Sequence, residues 1–165
     1  MNKKIICYDK DNNKFEIDST QVTFRPSVYG VLIEDNKILL SKQWDGYEFP
    51  GGGMEIYETM EQTVIREFFE ETGLKVEPIK LLHAESSFFC PTHDKKFADC
   101  YWNCPLLYFL VKKVGGKISI ENFDESEKHY ADMPEWIELD KIPKTKFVTS
   151  ADFRSIINNA KQALS

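Results

Sequence analysis

The sequence of 165 residues has no long apolar run. No stretch approaches the roughly 20 apolar residues that a membrane helix needs, so we expect no membrane-spanning segment. Lys3 and Lys4 near the N-terminus are not followed by a continuous apolar segment, which argues against a secretory signal. We therefore expect a cytoplasmic protein.

The sequence also lacks an excess of basic residues, because its formal net charge is −6. A general nucleic-acid binder normally carries a basic face, so we expect no nucleic-acid polymer as a partner. An acidic protein can hold a polyanionic ligand only by recruiting cations. If the substrate is a phosphate compound, an acidic site implies a bound metal ion.

Cysteine and histidine are scarce, with four and three residues. The cysteines are Cys7, Cys90, Cys100 and Cys104. They are not paired at C-x-x-C spacing, and no second pair completes a structural zinc site. We expect reduced, mostly buried thiols; the alternative is a metal-binding cluster that adds His83 and His93 within residues 83–104.

The elements that are present indicate an α/β protein with a mixed sheet and helices on it. Residues 1–20 read as an N-terminal hairpin of two short strands, and residues 21–165 as the main domain. Strands are predicted at Lys4–Tyr8, Phe15–Ile17, Ser27–Ile33, Ile38–Ser41, Lys80–Glu85, Leu106–Val114 and Trp136–Leu139. Loops or turns are predicted at Asp9–Asn13, Glu34–Lys37, Gly51–Gly53, residues 86–105, Gly115–Gly116 and Asn122–Pro134.

Two helices are predicted. In the first, from Thr59 to Thr72, apolar residues recur at four-residue spacing, and Gly73 follows as a C-cap. The second runs from about Ser150, a candidate N-cap, to near Ala163. The first helix is the more informative about function, because its last two turns are rich in glutamate.

Glu67, Glu70 and Glu71 stand at positions i, i+3 and i+4, so three carboxylates share one side of the predicted helix. Like charges at this spacing repel, and the C-terminal end of the helix dipole disfavours anions. A divalent cation relieves both penalties, and oxygen ligands suit Mg²⁺ or Mn²⁺. The alternative is a solvated acidic face; the glycines at 51–53, which can point backbone groups at the same ion, favour the metal.

The segment from Gly52 to Leu74 resembles the Nudix box, G-x5-E-x7-R-E-U-x-E-E-x-G-U, in which U is a bulky apolar residue. Every defined position matches, through Gly52, Glu58, Arg66, Glu67, Phe68, Glu70, Glu71, Gly73 and Leu74. Glu48–Gly52 and Trp136–Leu139 extend the resemblance outside the box, and the first 20 residues lie beyond it. The resemblance implies the α/β/α sandwich of the Nudix hydrolases.

The resemblance also implies roles for individual residues. Glu67, Glu70 and Glu71 match metal-binding carboxylates, the Gly51 carbonyl matches a further ligand, and Arg66 matches the arginine that orients the cluster. Glu58 matches a position that is structural. The implied reaction is Mg²⁺-dependent hydrolysis of a nucleoside diphosphate linked to another moiety, such as ADP-ribose, or of a (d)NTP. A homodimer is implied, because this state is common among Nudix proteins.

Two alternatives share the resemblance. One is a nucleotide-binding regulatory module that has lost catalysis, which the complete set of box carboxylates disfavours. The other is isopentenyl diphosphate isomerase, which normally departs from this box.

Candidate substrate-binding residues lie outside the box. Arg25 precedes the first core strand, where some Nudix proteins place an arginine that contacts phosphate. Trp44 and Tyr47 flank the glycines and are candidates for stacking on a base. The aromatic residues of the 86–105 segment are expected to shape a pocket or a dimer contact, and Glu125 or Glu127 is the candidate for a late-loop acid.

Overall fold

The computed structural model describes residues 2–92, 97, 99–123, 127–129, 131–148 and 151–165. These residues form strands β1 (Lys4–Tyr8), β2 (Lys14–Asp18), β3 (Val22–Phe24), β4 (Ser27–Val31), β5 (Ile33–Glu34), β6 (Lys37–Gln43), β7 (Gly46–Glu48), β8 (Gly51–Gly53), β9 (Leu74–Phe89), β10 (Tyr101–Gly116) and β11 (Ala131–Glu138). The helices are α1 (Met60–Thr72) and α2 (Phe153–Leu164).

The strands form two sheets. The larger has seven strands in the order β2-β1-β9-β10-β4-β8, with β3 also paired to β10, and it mixes parallel and antiparallel pairs. The smaller has four strands, in which β6 pairs with β11, β5 and β7. The predicted strand Ser27–Ile33 is divided between the two sheets, because β4 belongs to the larger and β5 to the smaller. The predicted Asp35–Asn36 turn is confirmed, with φ values of 48° and 61° that match a type I′ hairpin turn.

The two helices cover opposite faces of the larger sheet. Along β10, Tyr108 and Leu110 belong to a core that includes Ile156 of α2. Phe109, one residue out of phase, belongs to a second core with Phe68 of α1. This alternation on one strand is what a sheet buried on both faces requires, and it confirms the predicted α/β sandwich with a mixed sheet.

The N-terminal hairpin is confirmed as two antiparallel strands and is joined to the larger sheet. β1 and β2 pair over five positions, from Lys4↔Asp18 to Tyr8↔Lys14. Tyr8 then pairs in parallel with Phe89 at the end of β9. A small core that includes Cys7 and Cys90 lies beneath this junction. The division at residue 20 stays a prediction.

Several predicted boundaries are wrong because β9 and β10 are longer than their sequence patterns. They form one antiparallel ladder from Trp102↔Phe89 to Gly116↔Leu74, interrupted by three register shifts. Residues 86–89 and 101–105 of the predicted irregular segment therefore lie in strands, and Gly115–Gly116 ends a strand instead of forming a turn. The predicted 122–134 loop likewise ends in the first residues of β11. The strands extend this far because their backbone N–H and C=O groups pair with each other, and the pattern of side chains does not show that pairing.

The predicted first helix is confirmed at both ends. The Thr59 side chain accepts from the Gln62 amide, and the Gln62 side chain accepts from the Thr59 amide, which is a capping box. Gly73 ends the helix with φ 71°, and its N–H donates to the Phe69 carbonyl.

The predicted start of the last helix is wrong. Asp152 is its N-cap, since its carboxylate accepts from the Ser155 amide, and Ser150 lies outside the described residues. Among the described residues, neither helix is long and apolar enough to cross a bilayer.

Candidate active site

Three glycines form β8, the edge strand of the larger sheet next to β4. The prediction of a loop at Gly51–Gly53 is wrong, because these residues pair antiparallel with Ser27, Val28 and Tyr29 of β4. Glycine is needed in this strand because its backbone lies too close to neighbouring atoms to leave room for a Cβ atom. A Cβ atom on Gly51, whose φ is +153°, would stand 2.3 Å from the Val28 carbonyl oxygen.

Gly52 has no side chain, which leaves room for a carboxylate on the acidic face of α1. A Cβ atom there would stand 2.6 Å from a carboxylate oxygen of Glu67, so the Glu67 head group lies against the bare glycine backbone. The carboxylates of a helix on one face of the sheet therefore reach the cleft on the other face. The sequence signal for this arrangement was the run of glycines itself.

The three predicted metal-binding glutamates all contribute to the wall of one cleft. Glu67, Glu70 and Glu71 all line it, and so do Gly51 and Arg66. Glu71 is buried at 6% exposure. Its carboxylate accepts from the Ser41 hydroxyl at 2.5 Å and from the Gly51 amide at 3.4 Å, which joins the smaller sheet, the glycine strand and α1.

The Arg66 side chain links three of the box glutamates to one another. Its Nε and Nη2 donate to the two oxygens of Glu58 at 2.6 and 2.8 Å. Its Nη1 donates to Glu67 at 2.8 Å and to Glu70 at 3.0 Å, and Nη2 also donates to the Gly53 carbonyl at 3.1 Å. The fork geometry of the guanidinium fixes both box glutamates relative to the glycine strand. The sequence-based expectation that Arg66 orients these side chains has a geometric basis here.

The Glu58 carboxylate is the partner that pairs with Arg66 through both of its oxygens. Its hydrogen bonds from Arg66 lower the pKa of its carboxyl to about 2, well below the ordinary value, and the Thr63 hydroxyl donates to it as well. The side chain is 9% exposed. The same Arg66 is held in its charged form, since the Glu58 hydrogen bonds raise its own pKa.

This lowered pKa predicts a pH-dependent stability. The Glu58 carboxylate stabilises the folded chain above its unfolded-state pKa, near 4.5, and the contribution disappears as the pH falls through about 2. We expect Glu58→Gln to reduce the free energy of unfolding by about 1–3 kcal/mol at pH 7. Urea unfolding at several pH values measures this difference, which shrinks towards zero by about pH 2. The exposed control Glu61→Gln is expected to show a small difference in the free energy of unfolding that does not vary with pH. If the difference for Glu58→Gln is also the same at pH 7 and pH 3, the lowered pKa of Glu58 is contradicted.

The donor set of the cluster suits a hard divalent cation. Arg66 offsets one carboxylate, that of Glu58, and three box glutamates then remain as an anionic group of oxygen donors beside a backbone carbonyl. In the described residues, no group of three carboxylate, imidazole or thiolate side chains stands at metal-binding spacing. Glu67, Glu70, Glu71 and the Gly51 carbonyl are the groups that would hold an ion, and their side chains would have to draw closer together around it than they stand here.

The whole cleft, including the part lined by the glutamates, has a volume of about 880 Å³. Eight carboxylates line it among the described residues, from Asp9, Asp11, Asp45, Glu48, Glu55, Glu67, Glu70 and Glu71. Four cationic side chains accompany them, those of Lys10, Arg25, Arg66 and Lys146. The cleft is large enough for a nucleotide, and its charge opposes an anionic ligand that arrives without cations.

The structure separates the three predicted substrate-binding residues. Arg25 and Trp44 line the cleft. The Arg25 guanidinium lies against Gly53, where a Cβ atom would meet it at 2.5 Å, and it sits 4.4 Å from the centre of the Trp102 ring. Tyr47 is directed elsewhere: its hydroxyl donates to Glu135 at 2.8 Å, and its side chain is not among those that line the cleft.

Glu48 and Tyr29 line the cleft as well. Glu48 lies in the segment that extends the resemblance, but neither residue was selected from the sequence as a site candidate. Glu48 is 9% exposed, and its carboxylate accepts from the Phe49 amide at 2.8 Å. Burial, and then the nearby Glu48 carboxylate, raise the pKa of the Tyr29 phenol, so it stays a protonated donor. Only their pairing positions on β4 and β7 bring these residues to the cleft.

Of the remaining sequence candidates, Phe89, Trp102 and Cys104 line the cleft. Cys7, Cys90 and Cys104 are buried free thiols, as predicted, and burial raises the pKa of Cys104 to about 11. His83 is paired with Glu85 at 2.9 Å. His93, Glu125 and the side chain of Glu127 lie outside the described residues.

Comparison with known proteins finds curated relatives that are named as pyrophosphatases or pyrophosphohydrolases. Over 126 residues the chain is 32% identical to an ADP-ribose pyrophosphatase of Methanocaldococcus jannaschii, a match that covers 73% of this chain and 66% of that protein. It is 43% identical over 63 residues to an RNA pyrophosphohydrolase of Psychromonas ingrahamii, which covers 36% of this chain and 34% of that protein. The chain thus spans no more than about two thirds of the length of these relatives.

The fold has solved counterparts. A crystal structure of an ADP-ribose pyrophosphatase from Streptococcus suis 89-1591 superposes with a TM-score of 0.60 at 17% identity, covering 87% of this chain and 94% of that one. The NUDIX domain matches residues 23–156, which include the glycine strand, the whole of α1 and both long strands. The chain therefore belongs to the Nudix domain family.

Proposed function

We propose that the protein hydrolyses a phosphoanhydride bond in a small nucleoside diphosphate derivative and that the reaction depends on Mg²⁺. The observation that carries this proposal is that Glu67, Glu70 and Glu71 line the same nucleotide-sized cleft as the bare glycine strand, with the Glu67 carboxylate against Gly52. A regulatory module without catalysis would have no need to keep three like charges together against their mutual repulsion.

Each residue has a distinct task in the proposed reaction. Glu67, Glu70, Glu71 and the Gly51 carbonyl would hold the ion, and the ion would supply charge neutralisation at the phosphates and a more acidic water. Arg66 keeps Glu67 and Glu70 in place through its shared Nη1 donor. Arg25, which extends along Gly53 into the cleft, is suited to bind a phosphate oxygen of the substrate.

The charge of the cleft favours a small substrate over a polymer. Eight carboxylates against four cations among its described lining residues would repel the successive phosphates of an RNA chain. A single diphosphate can be neutralised by the ion and Arg25. The relative from Methanocaldococcus jannaschii, an ADP-ribose pyrophosphatase, resembles more than two thirds of this chain, so ADP-ribose and similar nucleotide sugars are the first substrates to test.

A substrate panel tests the proposal. The full-length protein is incubated with ADP-ribose, nucleotide sugars, nucleoside triphosphates and a short RNA with a 5′-triphosphate, each with Mg²⁺ or with a chelator. We expect release of a nucleoside monophosphate from a small nucleotide, only with Mg²⁺ present. Release of diphosphate from the RNA in preference to every small substrate would replace the proposed substrate class. Nucleotide binding with no hydrolysis of any panel member would establish the silent module instead.

A further inference from the structure

Three aromatic residues stand in register across neighbouring strands of the larger sheet. Tyr8 of β1 pairs with Phe89 of β9, and Phe89 pairs with Trp102 of β10. Register partners project from the same face of a sheet, and all three residues line the cleft. The rings of Phe89 and Trp102 are 6.2 Å apart. We call these three residues the aromatic row.

The aromatic row continues a line of contacts that begins at the box glutamates. Glu67 lies against Gly52, and the Arg25 guanidinium lies against the next glycine, Gly53. That guanidinium sits 4.4 Å from the centre of the Trp102 ring, so a cation–π contact joins it to the aromatic row. A ligand whose diphosphate lies beside the box glutamates and Arg25 would therefore extend its next group towards Phe89 and Tyr8, since Arg25 itself lies over the Trp102 ring.

The N-terminal end of the aromatic row is held in place. The Cys90 amide donates to the Tyr8 carbonyl at 2.9 Å. In the turn that follows, the Asp9 carboxylate accepts from the Asn13 side chain at 2.9 Å and from the Thr92 hydroxyl at 3.1 Å. Several hydrogen bonds thus fix the hairpin to the end of β9, while the Tyr8 side chain itself stays 42% exposed in the cleft.

We infer that the aromatic row is the platform on which the nucleobase of the substrate stacks, and that the N-terminal hairpin contributes Tyr8 to it. The inference rests on the proposed function for the place of the diphosphate. A flat ring is the ligand group that a row of aromatic side chains along a cleft recognises, and stacking accepts any base. The hairpin lies outside the matched NUDIX domain at residues 23–156, so this part of the binding surface belongs to the extension.

Binding of reaction products tests the platform without any need for turnover. The full-length protein is titrated calorimetrically with 5′-AMP, 5′-UMP and ribose 5-phosphate in the presence of Mg²⁺. Both nucleotides are expected to bind more tightly than ribose 5-phosphate. Tyr8→Ala is expected to raise the Kd of the nucleotides by about 5- to 100-fold and to leave that of ribose 5-phosphate unchanged.

Two variants serve as controls. Tyr8→Phe keeps the ring and is expected to keep nucleotide affinity. Ile6→Ala removes a side chain of similar exposure, 41%, from the same face of β1 but outside the cleft lining, and it is expected to bind as the unchanged protein does. A loss in Ile6→Ala equal to that in Tyr8→Ala would show a general effect of weakening the hairpin and would overturn the platform.

Other outcomes separate this inference from the proposed function. If 5′-AMP binds no more tightly than ribose 5-phosphate, or if Tyr8→Ala leaves its Kd unchanged, the platform is wrong even where the panel shows hydrolysis. If nucleotides bind through Tyr8 but no panel member is hydrolysed, the platform holds and the proposed hydrolase activity is wrong.

Discussion

Replacing Glu71 by glutamine is expected to lower kcat by about 10²- to 10⁴-fold and to raise the Mg²⁺ concentration needed for half-maximal activity. The substitution keeps the size of the side chain and an oxygen that accepts from the Ser41 hydroxyl and the Gly51 amide. It removes one negative charge from a residue that is only 6% exposed, and at such a site water compensates little for the loss of a charged metal ligand. The measurement is steady-state hydrolysis of the best panel substrate over a range of Mg²⁺ concentrations.

Glu61→Gln is the matched control for Glu71→Gln. Glu61 lies in the first turn of the same helix, is exposed, and is not among the residues that line the cleft. Its replacement weakens a favourable contact with the helix dipole by a few tenths of a kcal/mol at most, so kcat should not change. Full turnover of Glu71→Gln at ordinary Mg²⁺ concentration would remove Glu71 from the proposed metal site.

Replacing Arg66 by alanine is expected to lower the free energy of unfolding by about 2–4 kcal/mol. The guanidinium is 29% exposed, while the Glu58 and Glu67 side chains that it pairs are 9% and 12% exposed. Without the arginine, two largely buried carboxylates lose their cation and the repulsion within the glutamate cluster is unopposed. Urea unfolding at pH 7 measures the change, and hydrolysis is expected to fall as Glu67 and Glu70 lose their common donor.

A double substitution separates the ion pair from packing. Adding Glu58→Gln to Arg66→Ala removes the carboxylate that Arg66 had paired, so the double variant should be more stable than the sum of the two single effects predicts. Arg154→Ala, at an exposed arginine of α2, is the control and should change stability by less than about 0.5 kcal/mol. Additive effects of Arg66→Ala and Glu58→Gln would contradict the network.

The local features of the first helix were predictable from sequence. Apolar spacing, the cap residues Thr59 and Gly73, and the glutamates at i, i+3 and i+4 all lie within one short segment, so short-range rules suffice. The Asp35–Asn36 turn and the N-terminal hairpin were predictable for the same reason. The prediction at Ser150 failed because two plausible caps stood two residues apart and only the fold selected Asp152.

The features that failed depend on pairing between distant residues. The extent of β9 and β10 is set by the ladder between them, and the sequence of either strand alone does not contain it. Gly51–Gly53 looked unsuited to a strand, yet the close approach of Val28 and Tyr29 makes glycine the residue that this edge requires. Tyr47 was selected for its nearness in sequence to the glycines, but the fold directs its hydroxyl to Glu135.

The sequence by itself determined an acidic helix face, the arginine within it and the group of glycines that precedes it, because these interact over at most a few turns of chain. Only the tertiary structure decided what these residues face. Strand order and register bring Glu48 and Tyr29 to the cleft and align Tyr8, Phe89 and Trp102 across three strands. Side-chain neighbours across a sheet depend on pairings between residues far apart in the chain, and no local pattern encodes them.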